Sequence, residues 1–258
     1  MSSPRKRVMV LSAGVGSGHN SAAASLEAQF ASQPAVEAIK SIDVLDLTSD
    51  LFRTLQDDAY FGLVDAAPWL VGWGYEMNDV PFRSQGAMSL WDQLNTTAVV
   101  KTIRAFAPDA IVCTHFLPAR VVSLLLGRGR LQATMSVVTT DYDFQGMWLT
   151  TPINRFYVAR DETWAHMVEI GLPADRITVS GIPVKREFSE PVDRDSVLAR
   201  FHLRPDVPIL LISAGAAGGE YTKAVVTQTL AIPKPFQAVV VCGRNQQLRD
   251  EMTALVAS

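Results

Sequence analysis

Cysteine is scarce in this chain, since Cys113 and Cys242 are its only two among 258 residues. Each lies inside an apolar, strand-like run, and the two are far apart in sequence. We therefore expect two buried, reduced thiols in a reducing compartment. Two such cysteines indicate neither a disulfide framework nor a metal cluster.

Long apolar runs and an excess of positive charge are also missing. No run reaches the roughly 18 apolar residues that a membrane-spanning helix needs. The apolar run after the basic start, Met1 to Arg7, is too short for the core of a signal peptide. The net charge of −3 argues against nucleic acid as the main partner. We expect a cytoplasmic protein that can touch a membrane surface without crossing it.

The residues that are present, 48% hydrophobic and 19% charged, are typical of a soluble globular chain with one large or two smaller domains. Near its start, an apolar strand from Val8 to Leu11 runs into a glycine-rich loop, and a helix follows, with Asn20 or Ser21 as its predicted cap. The loop contains Gly14, Gly16 and Gly18. Glycines there let backbone N–H groups approach an anion or an oxygen-rich ligand. Their Gly-x-Gly-x-Gly spacing does not match the dinucleotide fingerprint, which disfavours NAD.

His19 ends the glycine loop and has two interpretations. A histidine there, with a pKa normally near neutrality, can take a proton from a hydroxyl group. It can equally cap the helix or form hydrogen bonds to the loop. The residue type alone leaves both open.

Further strands and helices alternate along the chain, which predicts parallel, right-handed βαβ units. Asp43 and Asp46 fall near the end of the second predicted strand. His115 to Pro118 and Asp141 to Phe144 follow later ones. Ligands of open α/β sheets bind at the carboxyl ends of the strands, so these segments and His19 predict a site. The predicted strands span residues 41–47, 109–114, 135–140 and 155–158, and the predicted helices span 85–106, 119–126 and 161–170.

An aromatic segment from Asp57 to Arg83 interrupts this regular pattern and contains two of the five tryptophans. One interpretation is an irregular helical excursion that packs on the sheet. The other is an amphipathic surface, centred on residues 60–75, that contacts lipid headgroups or an apolar substrate.

The pattern restarts after a charged connection, Lys185 to Asp193. A strand (206–212), a second glycine loop (213–219), a helix (220–230) and another strand (236–241) precede the last helix. We predict domains at residues 1–186 and 187–258. We expect the second lobe to be incomplete, because two strands and three helices are too few to close a doubly wound domain.

Five segments resemble one family in this order: GVGSGHNSAA, THFLPA, TDYDFQGMWLTTPINRFYVARDET, VSGIPVKREF and VVVCGRN. They look like the processive diacylglycerol glucosyltransferases and monogalactosyldiacylglycerol synthases, which are related to the transferase that adds GlcNAc to the lipid-linked peptidoglycan precursor. The resemblance implies an α/β fold of the GT-B type, with two Rossmann-like lobes and parallel sheets. Members of this family usually continue beyond the CGRN motif.

The resemblance also implies roles for individual residues. His19 matches the base that deprotonates the acceptor hydroxyl as it attacks the anomeric carbon of a UDP-sugar, with inversion. The acceptor side would comprise Gly16, Ser17, Gly18, His115, Pro118, Asp141, Asp143 and Phe144. The donor side would comprise Gly215, Gly218, Gly219 and Arg244. No metal or cofactor is implied, since backbone N–H groups and a helix N-terminus would offset the phosphate charge.

These patterns favour transfer of a hexosyl group from a UDP-sugar to diacylglycerol by a peripheral enzyme on the inner face of the cell membrane. Glucose and galactose both stay open. One alternative is a non-catalytic acceptor-lobe module that binds a membrane or a partner through residues 60–75. Another is a GT-B transferase that acts on a different lipid-linked or small-molecule acceptor.

Overall fold

The computed structural model describes residues 5–14, 17–47, 97–214, 220–243 and 245–257. The chain divides into two compact units, Met1–Phe188 and Ser189–Ser258. The sequence prediction placed the division two residues earlier. The predicted aromatic surface at residues 60–75 and most of the predicted helix at 85–106 lie outside the described residues.

The first unit is built on one six-stranded parallel sheet in the order β2-β1-β3-β4-β5-β6. Its strands are β1 (Lys6–Ser12), β2 (Val36–Asp43), β3 (Ala110–Cys113), β4 (Thr134–Val138), β5 (Arg155–Val158) and β6 (Ile177–Val179). Its α-helices are α1 (Gly18–Ala31), α2 (Thr97–Phe106), α3 (Phe116–Gly127) and α4 (Asp161–Glu169). Short 3₁₀ turns span Val44–Leu47, Gly146–Trp148, Ala174–Arg176 and Arg186–Phe188.

The core of this unit lies along the central strands. Met9 and Leu11 of β1 are buried together with Ile111 of β3 and with Met135 and Val137 of β4. Helices cover both faces of such a sheet, which is why these strands are continuous apolar runs rather than alternating ones. The apolar patterns that predicted β1, β3 and β4 are therefore confirmed.

The second strand differs from its predicted span of residues 41–47. The strand covers Val36–Asp43, and Val44–Leu47 forms a 3₁₀ turn. The reason is that β2 is an edge strand, so Glu37 and Lys40 are exposed and break the apolar pattern. The Asp43 carboxylate accepts a hydrogen bond from the Leu45 N–H and turns the chain out of the sheet. Asp43 stays at the strand exit, as predicted.

Two helices begin earlier than predicted. α3 begins at Phe116 rather than Ala119, because Pro118 occupies the first turn, where a missing N–H breaks no intrahelical bond. α1 begins at Gly18, and Ser17 rather than Asn20 or Ser21 is its N-cap residue. The Ser17 side chain makes no capping hydrogen bond.

The second unit contains a two-stranded parallel sheet, in which β7 (Ile209–Ser213) pairs with β8 (Gln237–Val241). Its helices are α5 (Arg194–Arg200), α6 (Glu220–Leu230) and α7 (Gln246–Ala257). A small core of Val226, Leu248 and Met252 joins the helices to the sheet. Both units are thus α/β with parallel sheets, as the sequence predicted.

In the described part of the chain, none of the helices has the length and apolar character required to traverse a lipid bilayer.

Candidate active site

The strand order of the first unit defines where a ligand can bind. β1 lies between β2 and β3, so the connections that leave β1 and β3 diverge to opposite sides at their carboxyl ends. This is the topological switch point, where open α/β sheets bind their ligands. His19 follows β1 and His115 follows β3, and their ring centroids lie 4.5 Å apart with the rings edge to face. Two of the predicted site residues therefore meet at the switch point.

The His19 ring is fixed through its Nδ1 atom. This nitrogen lies 2.9 Å from the Thr114 carbonyl oxygen and 2.7 Å from the Thr140 Oγ1 atom. A carbonyl oxygen can only accept, so Nδ1 carries the proton and donates it to Thr114, and the Thr140 hydroxyl shares it as a second acceptor. The Nε2 atom then has the free lone pair. Among the described residues, Nε2 has no hydrogen-bond partner.

His19 is also held in its neutral form. Burial lowers its pKa below 6.5, and this effect outweighs the hydrogen bond to the Thr114 carbonyl and the charge of Asp141, which both raise it. A neutral imidazole with a free Nε2 lone pair can accept a proton at neutral pH. The helix-capping interpretation of His19 is not what the contacts show, because its ring bonds to the ends of β3 and β4.

His115 has the opposite arrangement of its ring nitrogens. It is the N-cap of α3, and its Nδ1 accepts a hydrogen bond of 3.1 Å from the Leu117 N–H. The ring proton therefore lies on Nε2. His115 is only 3% exposed, and burial, together with the neighbouring His19, holds its pKa well below 6.5. The two histidines form a neutral pair of opposite tautomers.

Trp148 completes this cluster, although it is not among the predicted site residues. Its ring centroid lies 6.1 Å from that of His19 and 6.2 Å from that of His115. Its indole Nε1 donates a 3.0 Å hydrogen bond to Asp141 Oδ2. The indole therefore holds the Asp141 carboxylate close to the histidine pair. The only sequence signal was the position of this tryptophan within the longest segment of the family resemblance.

Three residues predicted on the acceptor side do not join the cluster. The Asp143 carboxylate accepts from the Phe144 N–H and lies 3.6 Å from His166 Nδ1. Phe144 is 2% exposed and packs edge to face on Phe156, and Pro118 is buried in the first turn of α3. Phe144 belongs to the core cluster and Pro118 is buried within α3, so the place of these two residues on the acceptor side stays a prediction.

The backbone of the Asp141–Phe144 loop is tied to the start of α4. The Tyr142 carbonyl oxygen accepts hydrogen bonds from Arg160 Nε at 2.8 Å and from Thr163 Oγ1 at 2.7 Å. The Tyr142 side chain itself is 67% exposed. These ties fix the loop from one side while Trp148 fixes Asp141 from the other.

The glycine loop is anchored by Asp43. Its Oδ1 accepts from the Gly14 N–H at 3.1 Å, and its Oδ2 accepts from Asn20 Nδ2 at 2.8 Å. The Asn20 Oδ1 atom in turn accepts from Ser12 Oγ at 2.6 Å. A Cβ atom on Gly14 would stand 2.4 Å from Asp43 Oδ2, whereas one on Gly18 would meet nothing within 4 Å. Gly14 therefore makes room for Asp43 rather than for a ligand, which corrects the sequence prediction at this position.

Five predicted site residues lie outside the described residues and stay predictions, namely Gly16, Gly215, Gly218, Gly219 and Arg244. Ser17 and Gly18 are described and exposed at the start of α1. Within the described ranges, no three His, Cys, Asp or Glu side chains come together in a way that could hold a metal ion.

The fold is shared with solved structures of very different sequence. The chain aligns with the Staphylococcus aureus MnaA–UDP co-structure at a TM-score of 0.56 and 11% identity, over 98% of this chain and 67% of that one. It aligns with the UDP-GlcNAc 2-epimerase of Neisseria meningitidis, solved with UDP-GlcNAc, at a TM-score of 0.51 and 11% identity, over 97% and 69% of the two chains. The chain is thus an α/β protein of the GT-B type, as its sequence predicted.

The family is defined by sequence. A family profile described as monogalactosyldiacylglycerol (MGDG) synthase matches residues 19–184, and the chain belongs to this family. The chain is 34% identical over 148 residues to the processive diacylglycerol beta-glucosyltransferase of Staphylococcus saprophyticus, covering 57% of this chain and 37% of that protein. It is 30% identical over 170 residues to the Bacillus licheniformis protein of the same name, covering 66% and 44%. The matched part spans less than half the length of these relatives.

Proposed function

We propose that this chain transfers a hexosyl group from a UDP-sugar to the free hydroxyl of diacylglycerol, with inversion at the anomeric carbon. Membership of the family supports the reaction class. The observation that carries the residue assignment is the His19 ring, whose Nδ1 donates to Thr114 and whose Nε2 has a free lone pair. We assign His19 as the general base.

The acceptor O–H gives its proton to His19 Nε2 while its oxygen forms a bond to the anomeric carbon. The bond from that carbon to the diphosphate oxygen breaks, and UDP leaves with the electron pair. Attack opposite the leaving group inverts the anomeric centre. A positioned general base contributes roughly 10²- to 10⁴-fold to such a rate.

The surroundings of His19 fit this role. When Nε2 takes the proton, the ring becomes an imidazolium that still donates from Nδ1 to the Thr114 carbonyl. The charge of Asp141, which Trp148 holds in place, favours this protonated form. The neutral ring is thus ready to accept a proton, and a nearby carboxylate stabilises the product of the transfer.

The donor side follows the family resemblance. We propose that Gly215, Gly218, Gly219 and Arg244 bind the UDP moiety. Backbone N–H groups and a helix N-terminus would offset the phosphate charge without a metal ion. Transfer should therefore persist in EDTA. We also propose that the enzyme works as a peripheral protein on the inner face of the membrane and contacts it through residues 60–75.

The test uses the purified chain with diacylglycerol in mixed micelles and labelled UDP-glucose or UDP-galactose. His19→Gln should lower kcat by at least about 100-fold, since a general base is lost, and circular dichroism should show that the variant is still folded. The matched control is His202→Asn, because His202 is an exposed histidine of the second unit whose left-handed backbone (φ 55°) suits asparagine. NMR of the glycolipid product reads the anomeric configuration.

Each outcome decides one part of the proposal. Turnover by His19→Gln at the wild-type rate would show that His19 is not the base. A retained anomeric configuration would overturn the single-displacement step. Wild-type chain that binds diacylglycerol vesicles but transfers no sugar, with binding unaffected by UDP-sugar, would replace the enzyme with the non-catalytic lipid-binding module.

A further inference from the structure

We infer that Asp43 and Asn20 form a clamp that positions His19 for proton transfer. This inference rests on the proposed function of His19, and neither residue contacts the reacting atoms. The clamp is the pair of side chains together with its hydrogen bond from Asn20 Nδ2 to Asp43 Oδ2.

The clamp joins three pieces of backbone through one carboxylate. Asp43 stands at the end of β2 and accepts from the Leu45 N–H at 3.0 Å as well as from Gly14 and Asn20. Gly14 follows β1, and Asn20 lies in the first turn of α1. The two ends of the glycine loop are therefore tied to the same side chain.

The first turn of α1 depends on this tie. Its N-cap, Ser17, offers no side-chain hydrogen bond to the free N–H groups of the helix start. Asn20 instead fastens the turn to the sheet, through Asp43 and through Ser12 of β1. A carboxylate near a helix N-terminus also interacts favourably with the helix dipole.

His19 and Asn20 hold the helix start from opposite directions. In the sheet order β2-β1-β3-β4, Asn20 bonds toward β2, whereas the His19 ring bonds toward Thr114 after β3 and Thr140 after β4. Loss of the hydrogen bond between Asn20 and Asp43 would let the first turn of α1 shift, and the His19 ring would shift with it. A misplacement of about 1 Å at a catalytic group can cost on the order of 100-fold in rate.

Asn20 donates and Asp43 accepts in the hydrogen bond between them, so the two side chains can be exchanged to test the clamp. Asn20→Asp places two carboxylate groups where one N–H···O contact of 2.8 Å now stands, so they repel. In Asn20→Asp/Asp43→Asn, the amide at position 43 donates to the carboxylate at position 20. Its oxygen still accepts from Gly14 and Leu45, and Ser12 still donates to position 20. The double variant therefore keeps every hydrogen bond of the clamp.

The control is Asn154→Asp, the same chemical change just before β5, at the amino ends of the strands rather than the carboxyl ends that carry His19. There the Oδ1 atom accepts from the Met135 N–H at the start of β4, and a carboxylate oxygen can do the same. We expect Asn20→Asp to lower kcat by about tenfold or more, with the donor KM changed less than about twofold. The double variant should return kcat to within about threefold of wild type, and the control should leave it unchanged.

A second readout does not need turnover. The chain has four histidines, so ¹⁵N labelling of their rings gives few signals. His19 should show a protonated Nδ1 in the wild type, a loss of that state in Asn20→Asp and its return in the double variant. If Asn20→Asp does not fold, Asn20→Ala removes the tie without adding charge, and its ring signal is used instead.

Two results would overturn the clamp. One is an unchanged His19 ring signal in the folded single variant. The other is a double variant that is folded but no more active than Asn20→Asp. If the wild type transfers no sugar, the proposed function fails, and the ring signals alone decide whether the clamp positions His19.

Discussion

The two glycines that bracket the first loop should respond in opposite ways to the addition of one methyl group. In Gly14→Ala, the new Cβ stands 2.4 Å from Asp43 Oδ2 and 2.9 Å from Asn20 Nδ2, whereas ordinary contacts begin near 3.4 Å. The carboxylate must therefore move by about 1 Å, which breaks or weakens its hydrogen bonds to Gly14 and Asn20. In Gly18→Ala, the methyl group meets nothing within 4 Å.

The expected magnitudes follow from these contacts. Loss of two hydrogen bonds to a charged group should cost Gly14→Ala about 2–4 kcal/mol in the free energy of unfolding. At about 2–4 °C per kcal/mol for a chain of this size, the unfolding midpoint falls by roughly 4–16 °C. Gly18→Ala should leave the free energy of unfolding unchanged or raise it by up to about 1 kcal/mol, because alanine favours a helix.

Thermal unfolding followed by circular dichroism measures both variants, and the transfer assay separates their roles. Asp43→Ala removes the obstacle, so it should cost less stability in the Gly14→Ala background than in the wild type. Gly18→Ala should raise the acceptor KM although the fold is intact, because its methyl group fills space predicted for the acceptor. A Gly14→Ala midpoint within 1 °C of wild type would refute the packing role of Gly14. Wild-type kinetics in Gly18→Ala would refute the role of Gly18 in the site.

Because burial holds the pKa of His19 below 6.5, kcat/KM should rise from acid pH and level off before pH 7. A value of kcat/KM that is still rising above pH 7 would contradict this. Folding also lowers the pKa of His115, so below pH 6.5 the unfolded chain binds more protons at these histidines. The free energy of unfolding should therefore decrease as the pH is lowered below 6.5, by up to about 1.4 kcal/mol per pH unit for each histidine. Urea titrations of His115→Asn, which keeps a capping acceptor, should show a smaller dependence of this free energy on pH. Trp148→Phe removes the indole donor to the Asp141 carboxylate and should lower the free energy of unfolding by about 1–2 kcal/mol in urea denaturation. An unchanged midpoint would show that this hydrogen bond does not stabilise the fold. Burial raises the pKa of Cys113, so mass spectrometry should find that Cys242 is alkylated first in the native chain and that both thiols are alkylated in urea. Equal rates of alkylation of the two thiols in the native chain would contradict the burial of Cys113.

The sequence predicts the centre of the first sheet better than its edge. β1, β3 and β4 are buried on both faces, and such strands are recognisable as continuous apolar runs. β2 borders only β1, and the exposed residues Glu37 and Lys40 interrupt its apolar pattern. The predicted strand therefore begins at residue 41 rather than at Val36. Pattern alone cannot reveal which strand lies at an edge, because that depends on the order in which the strands pair.

The meeting of His19 and His115 could be predicted for a general reason. Both follow parallel strands, and the carboxyl ends of parallel strands share one edge of the sheet. The tautomer of His19 could not be predicted, because Thr114 and Thr140 approach its ring only once β1, β3 and β4 are neighbours. The tautomer of His115 follows from a local contact with the Leu117 N–H, which requires that α3 begins at Phe116.

The burial of Phe144 was also beyond the sequence. An Asp-x-Asp-Phe turn can direct its aromatic ring outward or inward, and the choice depends on what lies beneath the loop. Here the ring lies edge to face with Phe156 of β5 and with His166 of α4. The exposed aromatic side chain of this loop is Tyr142 instead.

The Asp43 carboxylate narrows what the first glycine loop can bind. The backbone N–H of Gly14 already donates to Asp43, so it is not available to a phosphate oxygen. The same carboxylate, with Asp141 beyond His19, places negative charge near the loop, which disfavours an anion and tolerates a neutral hydroxyl. A glycine-rich turn before a helix is therefore not by itself a phosphate site. In this chain, we therefore expect the first such loop to bind the proposed hydroxyl acceptor, and we expect the diphosphate of the proposed sugar donor to bind other residues.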